Sequence, residues 1–389
     1  MIDAQTLPLP DFPKVRYSAW QLDALSPSQA TYETPQFLTD ESGIEVSGLT
    51  TTYLALSADL QAQGVRLTSL MAAQKQWPEL VADLMHRVIP ATADRLTAQN
   101  AVQYNTGIFL YIPAHVVVPD VLHLVLNQLA LTGDDLVARL LIYVGAHAKV
   151  SLLQQLNTIG DQKTKASVVI ELIAAADAQV NYANLDQFGP QTTAYINRQA
   201  QINDRATVDC ANVAFSDGQV LTELRSHANG EGATTHVCVS ALTYQKQTQG
   251  FVTAVQNVGR HSVGHIFQRG VILNKSTLVF NGIGRIIKGA KGADAQQESR
   301  VLMLSRRARG DANPLLLIDE NDVTAGHAAS VGRVDEQQLY YLMSRGLSQT
   351  VARRLVIRGF LGDVLAALPT PSARQRVIAE IERKLQDEQ

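Results

Sequence analysis

From Gly107 to about Asp335 the chain alternates apolar and polar positions in short runs rich in Val, Ala, Thr and Asn, punctuated by Gly and Asp, with no sustained helical period. Alternation with period two marks strands whose two faces meet different surroundings. A five-residue phrase recurs within it: Ala148-Lys-Val150-Ser-Leu152, Ala178-Gln-Val180-Asn-Tyr182, Ala206-Thr-Val208-Asp-Cys210, Ala233-Thr-Thr235-His-Val237 and Ser276-Thr-Leu278-Val-Phe280. Its third positions, 150, 180, 208 and 235, are 30, 28 and 27 residues apart, with 43 more to Leu278. Near-equal spacing predicts stacked coils, in which each strand pairs with the coil above and below and one face fills a narrow interior. An aromatic content of 6% suits such an interior. An antiparallel sandwich would alternate in the same way between shorter hairpins, and periodicity alone leaves both open.

On either side the period is helical. Ser57 to Gln63, Pro78 to Val88 (with Leu80, Val81, Leu84 and Val88 on one face) and Ala91 to Val102 predict a small helical cap over residues 1–106. Pro8 to Pro35 has prolines and no clear period, and is expected to be a mobile arm. After Asp335, Leu339, Leu342 and Met343, then Val351, Leu355, Phe360, Val364, Leu365 and Leu368, predict a helical domain over 336–389, with Gly346 between two helices and Pro369 and Pro371 ending the second. The highly charged segment Ala373 to Leu385 is expected to be exposed. Leu339, Tyr340, Met343, Arg345, Leu355 and Phe360 are candidates for partner binding, because so small a tail cannot hide all its apolar surface on itself. Tyr341 and Arg354 are further candidates on its exposed side.

Composition narrows the function. A chain of 389 residues with 46% hydrophobic residues can bury a large core, and a formal charge of −3 gives no global attraction to nucleic acid or to an anionic membrane. The first residues lack the basic start and apolar core of a signal peptide, and no run reaches the ~18 apolar residues of a spanning helix. A cytoplasmic protein is expected. Two cysteines, Cys210 and Cys238, are too few for a disulfide framework or for ligating a cluster with four thiolates of this chain.

The stretch from Asp294 to Gly346 carries the most specific pattern: Asp294, Gln297, Arg300, Leu304 and Ser305, then Pro314-x-Leu316-x-Ile318, Asp322-Val323, His327-x-Ala329-x-x-Gly332, Leu339-Tyr340 and Ser344-Arg345-Gly346. It resembles the C-terminal part of the SufB/SufD family of iron–sulfur cluster assembly scaffolds, on the SufD side. Asn100-Ala and Gly107-Ile-Phe109-Leu-Tyr111-Ile-Pro113 resemble the family's entry into its core. The resemblance implies a right-handed parallel β-helix over 107–335 flanked by N-terminal and C-terminal helical domains. It implies a non-catalytic scaffold that pairs with a SufB-like subunit, holds a transient Fe–S cluster shared with that subunit, and binds a SufC-like ABC ATPase through 336–389. FAD bound to the complex and iron entry through this subunit are further family traits, and no residue here specifies either. Whether the isolated chain forms a homodimer is left open.

Under that resemblance His327, in Thr324-Ala-Gly-His-Ala-Ala-Ser330, is the expected metal ligand for the nascent cluster at the SufB interface. Taken by itself it reads more simply as a histidine that hydrogen-bonds a neighbouring coil. Some SufD-like sequences have a cysteine two residues earlier, where this chain has Ala325, so no thiolate assists there. Glu320 and Asp322 lie near, and read most simply as solvated turn residues. Both cysteines read as small buried hydrophobes. His261 and His265, four apart, would be ~13 Å from each other on a strand, which argues against a zinc site. Gly282-Ile-Gly284-Arg-Ile-Ile-Lys288-Gly-Ala-Lys-Gly292 lacks the Gly-Lys-Ser/Thr ending of a phosphate loop, and its glycines suit close approaches between coils. A polysaccharide-acting β-helix enzyme is the alternative from another class. It would need carboxylates at one register, and Asp177, Asp204, Asp209 and Asp217 do not recur so.

Overall fold

The computed structural model describes residues 3–29, 31 and 36–386, with the side chains of 363 and 364 excepted. Val364 and part of the Pro8 to Pro35 stretch therefore lie outside the described residues. Between Thr106 and Arg333 successive strands alternate between two facing sheets. One sheet carries Leu122–Ala130, Lys149–Gly160, Gln179–Gln187, Thr207–Ala214, Thr234–Thr243, Val263–Ile272, Asp294–Met303 and Thr324–Arg333. The other carries Thr106–Ile112, Leu136–Val144, Thr164–Ala174, Thr192–Ile202, Gln219–Ala228, Thr248–Asn257, Thr277–Ile286 and Arg309–Ile318. Neighbours in each of these runs are parallel, so the core is a β-solenoid of about eight turns.

The recurrent phrase is the rung of this stack. Val150 pairs with Val180, Val180 with Val208 and Val208 with Thr235, and the column continues through Gly264, Ala295 and Ala325. Leu278 belongs elsewhere: it pairs with Gln249 and Gly310 in the facing sheet. The 43-residue gap is thus a change of sheet, invisible in a pattern that both sheets share.

A corner precedes each phrase. His147, Asp177, Arg205 and His261 take φ of 57°, 59°, 54° and 54°, a left-handed conformation uncommon for these residues, and Gly232 and Gly292 take the equivalent places. The conformation is offset by stacking hydrogen bonds from each corner N–H to the next coil, such as Asp177 N to Asp204 O at 2.8 Å and His261 N to Lys291 O at 2.8 Å.

The interior is aliphatic at the N-terminal end, with Ile108, Leu124, Leu140 and Ile170 fully covered. Further along it encloses Arg198, which donates to Asp186 and Gln154. Nearer the C-terminal end Phe251 and Phe280 pack with ring centroids 5.3 Å apart, beside the buried amides and hydroxyls of Thr253, Gln268 and Ser299.

The N-terminal region contains helices Ala58–Ala62, Leu70–Gln76, Pro78–Leu84 and Arg95–Gln103, together with strands not expected from its sequence. Gly43–Ser47 extends the first sheet beside Leu122–Ala130, Thr50–Ala55 pairs antiparallel with it, and Arg66–Ser69 pairs antiparallel with Thr106–Ile112. These antiparallel strands close one end of the solenoid. The described part of the Pro8 to Pro35 stretch is packed rather than mobile: Phe12 and Leu22 are buried against Tyr195, Leu221 and Val252, and Pro13 O accepts from Asn281 at 3.3 Å. Its scattered apolar residues have no period because they follow the outer surface of a sheet.

A buried ion pair fastens the helices to the second sheet. Arg139 Nη2 donates to Glu171 Oε1 at 2.8 Å, and Glu171 also accepts from the N–H groups of His86, Val88 and Ile89, each at 3.1 Å. Arg139 also reaches Asn100 Oδ1 at 3.2 Å, and Asn100 donates to Ala138 O and Ser167 O.

The C-terminal tail forms Glu336–Ser344, Gln349–Phe360, Gly362–Ala367 and Pro371–Gln386. The last helix, expected to be exposed, is docked on the first sheet. Ala373, Val377, Ile381 and Leu385 recur every four residues and bury one stripe, while Lys384 is fully covered and donates to Ser216 O at 3.1 Å and Asp217 Oδ1 at 2.5 Å. Arg383 adds two bonds of 2.7 Å to Asp217. The surrounding charges masked a stripe whose basic neighbours bind the sheet's own carboxylate.

Removing Glu171 alone strands the Arg139 guanidinium away from water, so Glu171→Ala is expected to cost ~3–5 kcal/mol, whereas an Arg139→Met/Glu171→Met pair costs much less. Urea unfolding midpoints of the two variants measure the difference.

Candidate functional site at the open end of the solenoid

The far end of the stack has no antiparallel closure. Arg309–Ile318 and Thr324–Arg333 are the last strands of their sheets, each paired on one side only. An unpaired edge presents a row of backbone donors and acceptors that another chain can join. The coil around it is apolar and uncovered: Leu315 is 47% exposed, Ile318 43% and Val331 39%, with Leu317 similar.

His327 stands on this last coil and is exposed. It pairs with Gln297, which in turn pairs with the interior residue Ile266, so His327 continues an inward-facing column to the mouth between the two sheets. Ala325 and Ala329 occupy the same face on either side, which keeps the approach to the imidazole open. Glu320 is not free to join it. Its carboxylate accepts from Gly289 N at 3.0 Å and Asn321 N at 2.9 Å, and those backbone bonds hold the acid below the usual carboxylate range. Asp322 is exposed on the adjoining turn, and its carbonyl accepts from Gly292 N at 2.7 Å. The donor at the mouth is therefore the imidazole.

The other histidines are arranged differently from their spacing along the chain. His261 sits on a corner, whereas His265 and His236 are ladder partners on the outer face, with ring centroids 5.2 Å apart. His236 Nδ1 lies 2.6 Å from Asp209 Oδ1, and His265 Nε2 lies 3.1 Å from Asp294 Oδ2. The hydrogen bond to Asp209 raises the His236 pKa above 6.5. Sequence reasoning compared positions four apart; the signal to use was one coil, 29 residues. No set of three or more His, Cys, Asp or Glu is placed to share a metal among the described residues.

Cys210 and Cys238 are in adjacent strands on opposite faces. Cys210 pairs with Val237 and turns inward, and burial pushes its thiol up to about 12, which disfavours the thiolate. Cys238 pairs with Ala211 and turns outward under the C-terminal helices, beside a cavity that Asp209, His236 and Arg374 also line. The carboxylates weighed for polysaccharide chemistry are apart and engaged: Asp177 with Arg205 at 2.7 Å, Asp204 with Glu231 N at 2.9 Å, Asp209 with His236, and Asp217 with Lys384.

The tail residues divide into two groups. Tyr340 is 74% exposed, and Tyr341, Met343 and Leu355 are also exposed, together with Arg345, whose guanidinium lies 5.2 Å from the Tyr341 ring. Leu339 is half-buried, and Phe360 packs inward on the first sheet beside Ile357 and Leu361. Arg354 pairs with Glu382 at 2.9 Å. No helix among the described residues is long and apolar enough to cross a membrane.

A family model described as "SUF system FeS cluster assembly, SufBD core domain" matches residues 129–360, and one for the "SufBD protein N-terminal region" matches 46–124. The chain belongs to the SufB/SufD family. Within this family of iron–sulfur cluster assembly proteins it is 38% identical over 339 residues to SufD of Bacillus subtilis, covering 86% of this chain and 77% of that protein. To SufB of the same organism it is 23% identical over 325 residues, covering 82% and 68%. An iron-sulfur cluster assembly SufBD family protein of Staphylococcus epidermidis is also 23% identical, with the same coverage. The SufD branch is thus the nearer of the two.

Because the folded His236 pKa lies above its unfolded value, the Asp209 pair stabilises fully below pH ~6.5 and fades as pH rises through the folded value. The stability difference between the parent and His236→Gln is expected to shrink steadily from pH 6 to pH 9, as read by unfolding midpoints across that range.

Proposed function

We propose that this family member is a SufD-like scaffold subunit that pairs with a SufB-like chain through its last coil. The observation that carries the reading is the open end itself: two unpaired strand edges, exposed Leu315, Leu317, Ile318 and Val331, and one imidazole at the mouth between the sheets. A second solenoid meeting that edge would complete its hydrogen bonds and cover its apolar side chains. His327 then lies in the junction, where a neutral imidazole donates a lone pair to iron and groups of the partner supply the remaining ligands. The nascent Fe–S cluster is cargo, built at the junction and passed on. Neither chain alone holds the finished cluster.

The exposed face of Glu336–Ser344 and Gln349–Phe360 is the reading's second contact, for a SufC-like ATPase. Tyr340, Tyr341, Met343, Val351 and Leu355 leave an apolar surface there that the solenoid does not cover, with Arg345 at its rim. Motion of two bound ATPase subunits would reach the His327 junction through the chain between Arg333 and Glu336, which joins the last strand to the first tail helix. The scaffold contributes surfaces and one ligand, and the chemistry of sulfur delivery and ATP hydrolysis lies on its partners.

In cells that depend on this system, His327→Ala is expected to leave the chain folded and complexed while activity of cluster-containing enzymes falls at least ~10-fold, the scale of a lost ligand-shell group. Normal enzyme activity in that strain removes the histidine from the mechanism. Tyr340→Asp/Met343→Asp is expected to abolish co-purification of the SufC-like subunit and to leave the SufB-like subunit bound. Loss of both together, or of neither, contradicts the assignment of the two surfaces.

A further inference from the structure

Directly beneath His327 in its column lies Gln297, and the surroundings of its amide are unusual for a buried group. The side chain is 4% exposed, and Nε2 donates to Leu315 O of the last coil at 2.7 Å. That bond settles the amide orientation, since a flipped group would set oxygen against a carbonyl. Oε1 is then left buried with no hydrogen-bond partner. Buried amide oxygens are seldom left so, and a lone acceptor next to a functional group calls for a donor.

The space around this amide is made by glycines. A Cβ at Gly282 would stand 2.8 Å from Gln297 Oε1, and one at Gly284 would stand 3.0 Å from Gln297 Nε2. Both glycines face Gln297 from the opposite sheet, so the amide fills a cradle that any larger residue would close. On its own sheet the inward neighbour towards the solvent is His327, about one strand spacing away (~4.8 Å between strands) and on the same face. Ladder neighbours on one face touch through their side chains.

We infer that Gln297 is a positioning residue for His327: with the imidazole turned inward from its place in this structure, Oε1, unpartnered here, accepts one ring N–H, which fixes the tautomer and turns the other ring nitrogen, lone pair outward, to the mouth of the solenoid. This rests on the proposed role of His327 as the chain's ligand for the nascent cluster, and it specifies how the ligand is prepared. An imidazole free to exchange its proton between nitrogens presents the correct lone pair only part of the time. One anchored through its second nitrogen presents it always, and the acceptor makes the donor nitrogen more basic. Leu315 O, held by the same amide, ties this setting to the strand edge that meets the partner.

The test uses the full-length chain with ring-15N histidine, in which the His327 signals are identified by their loss in His327→Gln. The expected result is one neutral tautomer in the parent, a solvent-like mixture in Gln297→Met, and a single tautomer again in Gln297→Glu, whose buried acid, protonated, donates to Leu315 O and keeps a carbonyl oxygen of the same reach. In cells, Gln297→Met should lower cluster-enzyme activity ~10-fold and Gln297→Glu should restore most of it. If Gln297→Met does not fold, Gln297→Asn shortens the amide by one carbon and should give the same mixture. An unchanged tautomer balance in whichever variant folds overturns the inference. The two claims fail separately: an inert His327→Ala strain sinks the ligand role while the tautomer result stands, and an unchanged tautomer with an impaired His327→Ala strain sinks only the part played by Gln297.

Discussion

The parallel, in-register pairing of one coil on the next is the constraint from which the rest of this molecule follows. Each strand obtains its backbone partners only from the coils above and below, so the stack is stable in its middle and has unmet hydrogen-bonding groups at both ends. At the N-terminal end, Thr50–Ala55 and Arg66–Ser69 reverse direction and pair antiparallel, with helices packed beside them. At the C-terminal end nothing comparable is present among the described residues. A long, apolar edge left open is an aggregation hazard unless something is meant to cover it. One end of the chain is covered by antiparallel strands and helices and the other is not, and it is this asymmetry that the proposed function reads as a partner surface.

Register also has to be held across the whole stack, because a slip of one residue would turn every inward side chain outward. Polar residues on both faces of the sheets supply part of the hold. Inside the solenoid Arg198 and Asp186 form a buried pair and Asn184 donates to Asn212 Oδ1 at 2.9 Å, and on the outer face of the first sheet Asn157 donates to Asn127 Oδ1 at 2.9 Å. Each such bond links neighbouring coils, or the two sheets, at a specific height, which aliphatic contacts between Leu, Ile and Val do not do. The same grammar yields the column Ile266, Gln297, His327: apolar inside, an amide near the rim, an imidazole at the mouth.

What could be read in the sequence was what is local or periodic. The steps from 150 to 180, 208 and 235 pointed to stacked coils because corresponding residues of successive coils share one environment, and the family resemblance decided between coils and a sandwich. The resemblance around His327 gave the family because its motif residues fall at specific spacings between Asp294 and Gly346. What could not be read depended on which sheet or partner element a residue meets. Leu278 carried the right phrase in the wrong sheet. His236 and His265 touch although one coil of chain separates them, a relation that no local spacing displays. The stripe Ala373, Val377, Ile381, Leu385 was outweighed by charges, since a lysine as fully buried as Lys384 is intelligible only once Asp217 and Ser216 are seen to receive it. The Phe12 to Leu22 strap has no period of its own because the outer face of a sheet sets its contacts.

The departure at position 325 bears on what the open end can do. With Ala325 in place of a thiol, the mouth offers one imidazole, and the Glu320 carboxylate is committed to two backbone N–H groups. A lone imidazole binds iron weakly and reversibly, because most of the affinity in such sites comes from several ligands acting together and from thiolates in particular. Under the proposed function that suits a junction through which a cluster would pass: a chain that supplied one weak ligand could release it when the junction opened, whereas a chain supplying three thiolates could not. The weakness of this donor set is therefore consistent with transient assembly at a shared edge, and it moves the burden of holding the cluster to whatever closes that edge.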